Sequence, residues 1–397
     1  MSGIPGQLDY IPEPTDSRIL TAVDPSISGY QEDWRSEVMG WAPYVASPIP
    51  RVNRAKIRMT MTLLFSLIMV AIYIIWRTQL IVIDLPPPNS EWAAEDSGLL
   101  SLQAYGLDGS GVKVCMVDTG ITLSHPDLEH LNIEFRDFVG DSKLPVDYGG
   151  LAHGTMMAGI LVADGHIEGV APKVTFSMAA ALGADGSGDN TGDESTVAQA
   201  IEWCWRTQKA DIVSLSLGSE TNSLREGPSI SAVEQATAEG VFVVSAAGND
   251  GGDADDGFVA SPSNVPLAIS VSAHDREGIV WQGSSIGNQD GRVSPNLKPE
   301  VMAPGVNIIS TGSDEGYYSS TGTSDATVFV TGALSLILQE HPQLKRTGTP
   351  NCIELVKAAL KDSAQEASGQ SGHDIRSGYG QLRADLWLEE LGENPVC

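Results

Sequence analysis

Positive charge is scarce in this sequence. Its 397 residues carry 23 Lys and Arg against 51 Asp and Glu, a formal net charge of −28. A polyanion gains nothing from such a surface, so nucleic acid is not expected as a partner. The same acidity keeps a chain hydrated when salt screens its self-repulsion, which suits a saline habitat and serves plain solubility equally well. Cysteine is scarce too: four residues are too few for a disulfide scaffold. Cys115 lies in an apolar run and Cys204 in a helical pattern, so both are expected as buried packing thiols, while Cys352 and Cys397 are left as a pair that can form outside the cell. No repeat appears at solenoid or propeller periods.

Charge of either sign is absent from residues 59–76, MTMTLLFSLIMVAIYIIW, and a second apolar patch, Leu80–Ile83, follows Arg77. That length suffices to cross a bilayer. A cleaved signal would lie nearer the N-terminus and be shorter, and a buried core helix would show polar interruptions, so an uncleaved anchor is expected. Arg51, Arg54, Lys56 and Arg58 crowd its N-terminal side, which places that side in the cytoplasm and the bulk of the chain outside it. The expected division is a disordered acidic cytoplasmic tail over 1–58, an anchor over 59–83, a proline-stiffened linker over 84–91 and one catalytic domain over 92–397. The expected location is therefore the cell membrane, with a single pass.

Beyond Trp92, short apolar runs alternate with helical patterns. Val112–Val117, Val174–Ala180, Ile212–Leu217, Val241–Ala246 and Leu267–Val271 read as buried parallel strands. Thr196–Gln208, Ser229–Glu239, Thr327–Gln339 and Asn351–Lys361 read as helices. Alternation of this kind predicts α/β layering around a mostly parallel sheet.

A serine route to amide hydrolysis needs a hydroxyl nucleophile, an imidazole to carry its proton and a carboxylate to hold that imidazole. Asp118 closes the first strand, where a carboxyl edge opens into the crevice of an α/β sheet. His153 begins HGTMMAG, whose small residues let a helix start close to the sheet, and Ser324 in GTSDA stands directly before a long apolar helix. The N–H groups there can stabilise an oxyanion, and the amide of Asn249 in AAGND would complete the hole. Taken singly, these residues fit ordinary duties, such as turn and helix caps or a satisfied helix histidine.

Jointly they resemble the subtilisin-like serine proteases, the subtilases, from Trp92 to about Leu388. Asp-Thr-Gly-Ile at 118–121, His-Gly-Thr-Met-Met-Ala-Gly at 153–159 and Gly-Thr-Ser-Asp-Ala-Thr at 322–327 are similar to the family's aspartate, histidine and serine motifs, in the family's chain order. Ala-Ala-Gly-Asn-Asp at 246–250 resembles its oxyanion motif. The resemblance implies a three-layer subtilisin-like fold and a serine endopeptidase acting on proteins or peptides through an acyl-enzyme, with no cofactor needed for the chemistry. It also implies that Ser216, Leu217 and Gly218 bind an extended substrate as an added strand, and that Ala246, Ala247 and Gly248 wall the pocket for the residue before the cut.

The chain departs from the family at several places. Asp325 stands where Met usually follows the nucleophile, Val328 and Phe329 replace a Pro-His pair, and Ser214 replaces an asparagine. A carboxylate beside the site would raise the histidine's pKa and oppose the oxyanion, so a slower or acid-shifted enzyme is one expectation. Structural calcium is a family habit, and the runs beginning at Asp185 and Asp250 offer oxygen ligands without EF-hand spacing; solvated acidic loops account for them as well. His125, His130, His166, His274, His341 and His373 lack catalytic company and read as surface or structural residues. With only Leu85 to Glu91 between anchor and enzyme, folding without an excised prodomain is expected. The rival readings are a catalytically silent, membrane-anchored peptide-binding protein and an acyl hydrolase acting on non-peptide esters.

Overall fold

The computed structural model describes residues 54–78, 90–219, 226–253 and 255–397. The chain forms two compact units, residues 1–85 and 86–397. Most of the expected cytoplasmic tail, the Leu80–Ile83 patch and the triple-proline linker lie outside the described residues.

In the first unit, helix α1 (Arg54–Thr78) covers the uncharged run. The stretch Arg54–Ile74 is long and apolar enough to cross a membrane, and none of it is buried within the protein. At 1.5 Å per residue its 21 residues span roughly 32 Å, close to a hydrocarbon core.

The second unit opens with the short helices α2 (Glu91–Asp96) and α3 (Leu99–Ala104). Strands β1 (Lys113–Asp118) and β2 (Glu134–Asp137) follow, then helix α4 (His153–Val162), β3 (Thr175–Ala180), a small β4–β5 hairpin (Gly183–Ala184, Asn190–Thr191) and α5 (Glu194–Glu202). The chain continues through β6 (Ile212–Leu215), α6 (Pro228–Ala238), β7 (Phe242–Ala246), β8 (Ile269–His274), β9 (Val301–Pro304), the β10–β11 hairpin (Val306–Thr311, Tyr317–Thr321), α7 (Thr323–Glu340), α8 (Asn351–Ser363) and α9 (Ala384–Leu391).

Seven strands form one sheet in the order β2-β3-β1-β6-β7-β8-β9, and every neighbouring pair is parallel. Because side chains alternate along a strand, each apolar run feeds two cores. From β1, Val114 and Met116 join α4, α7, α8 and α9 on one face; Cys115 and Val117 join α5 and α6 on the other. The result is the expected three layers. Helix α7 packs across β6, β7, β8 and β9 and is apolar on nearly all sides, as a helix at the centre of a core must be.

The five expected strands all form, with ends shifted by a few residues. Two short parallel strands, β2 and β9, escape the apolar-run reading: β2 is a half-exposed edge and β9 spans only VMAP. The Thr196–Gln208 helix is really α5 followed by a π-helical turn, Trp203–Thr207. That turn corrects the cysteine expectation. Cys115 and Cys204 are not free packing thiols but a disulfide with Cα atoms 5.5 Å apart, because β1 turns Cys115 toward the face on which the π turn packs. Cys352 and Cys397 form the second disulfide.

A buried ion cluster ties the far edge of the sheet to α8. Glu300 Oε1 lies 2.9 Å from Lys298 Nζ and 2.7 Å from Lys357 Nζ, with all three side chains 2% exposed or less. Ser270 N–H donates to Glu300 Oε2, and the carbonyl of Ala268 accepts from both ammonium groups. Burial pushes both lysine pKa values down, and the single carboxylate opposes that. Removing it strands two buried cations. Glu300→Gln is therefore expected to destabilise the full chain by about 3–5 kcal/mol, read as a lowered unfolding midpoint in detergent; an unchanged midpoint contradicts this role.

Candidate active site

In an open parallel sheet all carboxyl ends lie on one edge, and a ligand crevice opens where the winding reverses. Here the reversal falls between β1 and β6, the pair from which the strand order runs outward in both directions. Asp118 is the last residue of β1, and Ser216 follows the last residue of β6.

Past Asp118 the chain turns sharply at Gly120, whose φ of +118° and contact with Val146 leave no room for a side chain. Helix α4 starts directly beneath that turn: a Cβ on Gly154 would lie 2.1 Å from the Gly120 carbonyl oxygen. The approach brings His153 Nδ1 to 2.7 Å from Asp118 Oδ1, which also accepts from Thr119 N–H. Leu151 and Ala152, both with φ of +54°, form the left-handed turn that delivers the histidine. Asp118 is fully buried, while the imidazole keeps 25% of its surface open to the cleft.

Asp147 clamps this pair from behind. Its Oδ1 accepts from the Thr119 hydroxyl and its Oδ2 from the amide and hydroxyl of Thr155, so one carboxylate joins the turn after Asp118 to the helix carrying His153. Sequence reasoning missed it, since VDYGG carries no motif; only the Asp-Thr and His-Gly-Thr hydroxyls hinted that a shared acceptor was needed.

Ser324 is expected just before the apolar helix, and the structure places it one step further in, within the first turn of α7. Gly322 takes the capping position instead, its extended backbone letting the helix begin at Thr323. Ser324 thus has a first-turn N–H without an intrahelical partner. Its hydroxyl donates to the Ser216 carbonyl at 3.2 Å, and the Ser216 hydroxyl returns a bond to the Ser324 carbonyl at 3.1 Å. Asn249 follows β7, and its Oδ1 accepts from the amide and hydroxyl of Thr323. A Cβ on Gly322 would lie 3.6 Å from Asn249 Nδ2, so the amide stands beside the start of α7.

One cleft of about 600 Å3 is lined by His153, Ser324 and Asn249 together with Ser216, Leu217, Gly218, Ala246 and Gly248. Residues 216–218 run on beyond the last ladder pair, Leu215 with Ser245, leaving a strand edge along the cleft. Ala247 is the exception among the expected lining residues: it is fully buried, donating to Val271 O and accepting from Ala260 N. Ser214, in place of the family's asparagine, shares a hydrogen bond with Thr331 of α7 at 3.0 Å and so fastens β6 to the serine helix.

The electrostatics centre on acids. Burial alone would lower the His153 pKa, but the charge and hydrogen bond of Asp118, then the charges of Asp325 and Asp147, raise it to about 9. Asp325 is itself buried beside Ser324, its Oδ1 accepting from the Ser320 hydroxyl. Burial pushes its carboxyl up to about 7, against that hydrogen bond and the His153 charge. Of the two acidic runs, the one at 250–256 gathers Asp250, Asp255 and Asp256, with oxygens within 4.8 Å of one another. Asp185 instead turns inward to accept from the amides of Ser187, Gly188 and Asp189.

Comparison with known proteins gives a consistent result. Residues 109–380 match the profile described as the subtilase family. Subtilisin DY of Bacillus licheniformis is 34% identical over 274 residues, covering 68% of this chain and 91% of that protein. Subtilisin Savinase of Lederbergia lenta is 35% identical over 268 residues, covering 66% and 90%. The solved structure of the prenylagaramide maturation protease PagA aligns with a TM-score of 0.60 at 22% identity, covering 75% of this chain and 99% of that one, a likeness of fold.

Replacing Asp325 with Met removes one of the charges that hold the imidazole protonated, so the His153 pKa falls below about 9. An NMR titration of the histidine ring reads this directly, and an unmoved titration contradicts the assigned coupling.

Proposed function

Because the chain belongs to the subtilase family and is a serine-type endopeptidase, we propose that Asp118, His153, Ser324 and Asn249 carry its chemistry and that one N-terminal helix holds it at the outer face of a membrane. The observation that supports this most is the 2.7 Å bond between Asp118 and His153 on the wall of a cleft that Ser324 and Asn249 also line.

In this reading a peptide adds as a strand along Ser216–Gly218, and the side chain before the cut enters the pocket walled by Ala246 and Gly248. The Ser324 hydroxyl swings from the Ser216 carbonyl to His153 Nε2, gives up its proton and attacks the scissile carbonyl carbon. The oxyanion takes hydrogen bonds from Ser324 N–H and Asn249 Nδ2. His153 returns the proton to the departing amine as the C–N bond breaks, leaving an acyl-enzyme. Water then repeats the sequence, His153 taking its proton, and the acid product leaves with Ser324 restored. Asp118 keeps Nδ1 protonated throughout and stabilises the imidazolium.

The general base works only when unprotonated, so kcat/KM rises as pH climbs toward the His153 value of about 9. A raised imidazole pKa therefore moves the activity limb toward alkaline pH, opposite in sign to the acid shift expected from the sequence. Asp325 contributes to that shift, and while ionised it opposes the oxyanion.

The membrane part of the reading rests on the unburied apolar helix and the basic residues before it. Two disulfides favour an oxidising compartment for the catalytic unit. We assign residues 1–58 to a cytoplasmic tail, 59–83 to the anchor, 84–91 to a linker and 92–397 to the enzyme. The three carboxylates at 250–256 are the candidate seat of a structural calcium ion, with no part in the reaction.

A fluorophosphonate probe tests the assignment. The full chain in membranes or detergent is expected to label at Ser324 and to cleave casein, with both lost in Ser324→Ala. Absence of labelling leaves a silent peptide binder, and labelling with ester but not casein hydrolysis leaves an acyl hydrolase.

A further inference from the structure

The cleft that His153 and Ser324 line is also walled by Leu182, Val197 and Leu217, which pack into the same core beside α5 and α6. Two carboxylates, Asp189 and Glu194, also line it, and among the described residues no Lys or Arg does. Glu194 begins α5 and is half-buried. Its Oε1 accepts from the Ser229 hydroxyl at 2.8 Å, and Gly227 approaches so closely that a Cβ there would lie 2.3 Å from that oxygen. The start of α6 therefore fixes the carboxylate in place. Among the described residues no ion pair uses it.

We propose that Glu194 is a specificity-determining residue that selects peptide substrates bearing Lys or Arg at one position upstream of the residue that enters the Ala246–Gly248 pocket. The proposal rests on the endopeptidase reading and names a substrate class for it. A lysine or arginine stem is apolar along its length and charged at its tip, matching apolar walls that end in a carboxylate. An acidic side chain meets repulsion, and a wholly apolar one desolvates the carboxylate without supplying a countercharge. The net charge of −28 also attracts any cationic peptide, but that attraction is blind to where along the peptide the cation sits.

Position separates the two effects. Isomeric fluorescent peptides of one composition, each with a single Lys moved along the sequence, would be titrated against full-length Ser324→Ala in detergent and followed by anisotropy. One isomer is expected to bind about 3- to 5-fold more tightly than the rest, as suits a partly exposed ion pair. Adding Glu194→Gln, which keeps the Ser229 bond, should erase that preference, and Glu194→Lys should transfer it to the matching Glu peptide. Equal binding of all isomers, or a preference that survives Glu194→Gln, overturns the proposal. The unsubstituted enzyme is assayed on the same peptides: a positional preference without hydrolysis sinks the endopeptidase reading and leaves this inference standing.

Discussion

The reversal of winding between β1 and β6 is the constraint on which the site depends. A parallel sheet gathers its carboxyl ends on one edge, but only at a reversal do the following segments part and leave a crevice. Asp118 leaves β1 on one side of it and Ser216 leaves β6 on the other. Helix α4 brings His153 under the first, α7 brings Ser324 against the second, and β7 delivers Asn249 beside both. His153 and Ser324, 171 positions apart, line one cleft because the strands that carry or flank them are neighbours in the sheet.

Around that crevice the protein concentrates negative charge where a proton-transfer site feels it most. Asp118 bonds the imidazole's Nδ1, Asp147 ties Thr119 to Thr155, and Asp325 sits in the same helical turn as Ser324. All three favour the protonated imidazole. The consequence is an imidazole whose pKa stands at about 9, well above its ordinary value. Acidity is a property of the whole chain, yet Asp118 and Asp325 are buried, Asp147 is half-buried and all three are hydrogen-bonded, so they bear on the imidazole in a way that the solvated acids of the surface do not.

Much of this was legible in the sequence because the site is built from short local motifs. Asp-Thr-Gly encodes a tight turn, His-Gly-Thr and Gly-Thr-Ser encode helix starts, and Gly120 and Gly154 reveal where backbones must touch. The parallel core was legible in the same way, since strands buried on both faces read as unbroken apolar runs. What escaped depended on three-dimensional neighbours. Asp147 carries no local signal, and its value comes from two threonines 28 and 8 residues away. The Cys115–Cys204 bridge depends on which face of β1 meets a π turn, and the ion cluster at Glu300 on a helix 57 residues downstream. The sign of the pH shift follows from the raised histidine pKa alone, because a base with a higher pKa is freed only at more alkaline pH; the size of the rise needed the positions of Asp118, Asp325 and Asp147.

The central claim is that four side chains converge on one reacting carbon. A crystal structure of the full chain with a peptide boronate adduct tests it most directly. The account predicts boron bonded to Ser324 Oγ, His153 Nε2 within about 3 Å of the adduct, and one boronate oxygen between Ser324 N–H and Asn249 Nδ2. A boronate bound elsewhere, or an imidazole that stays out of reach of Ser324, would contradict it.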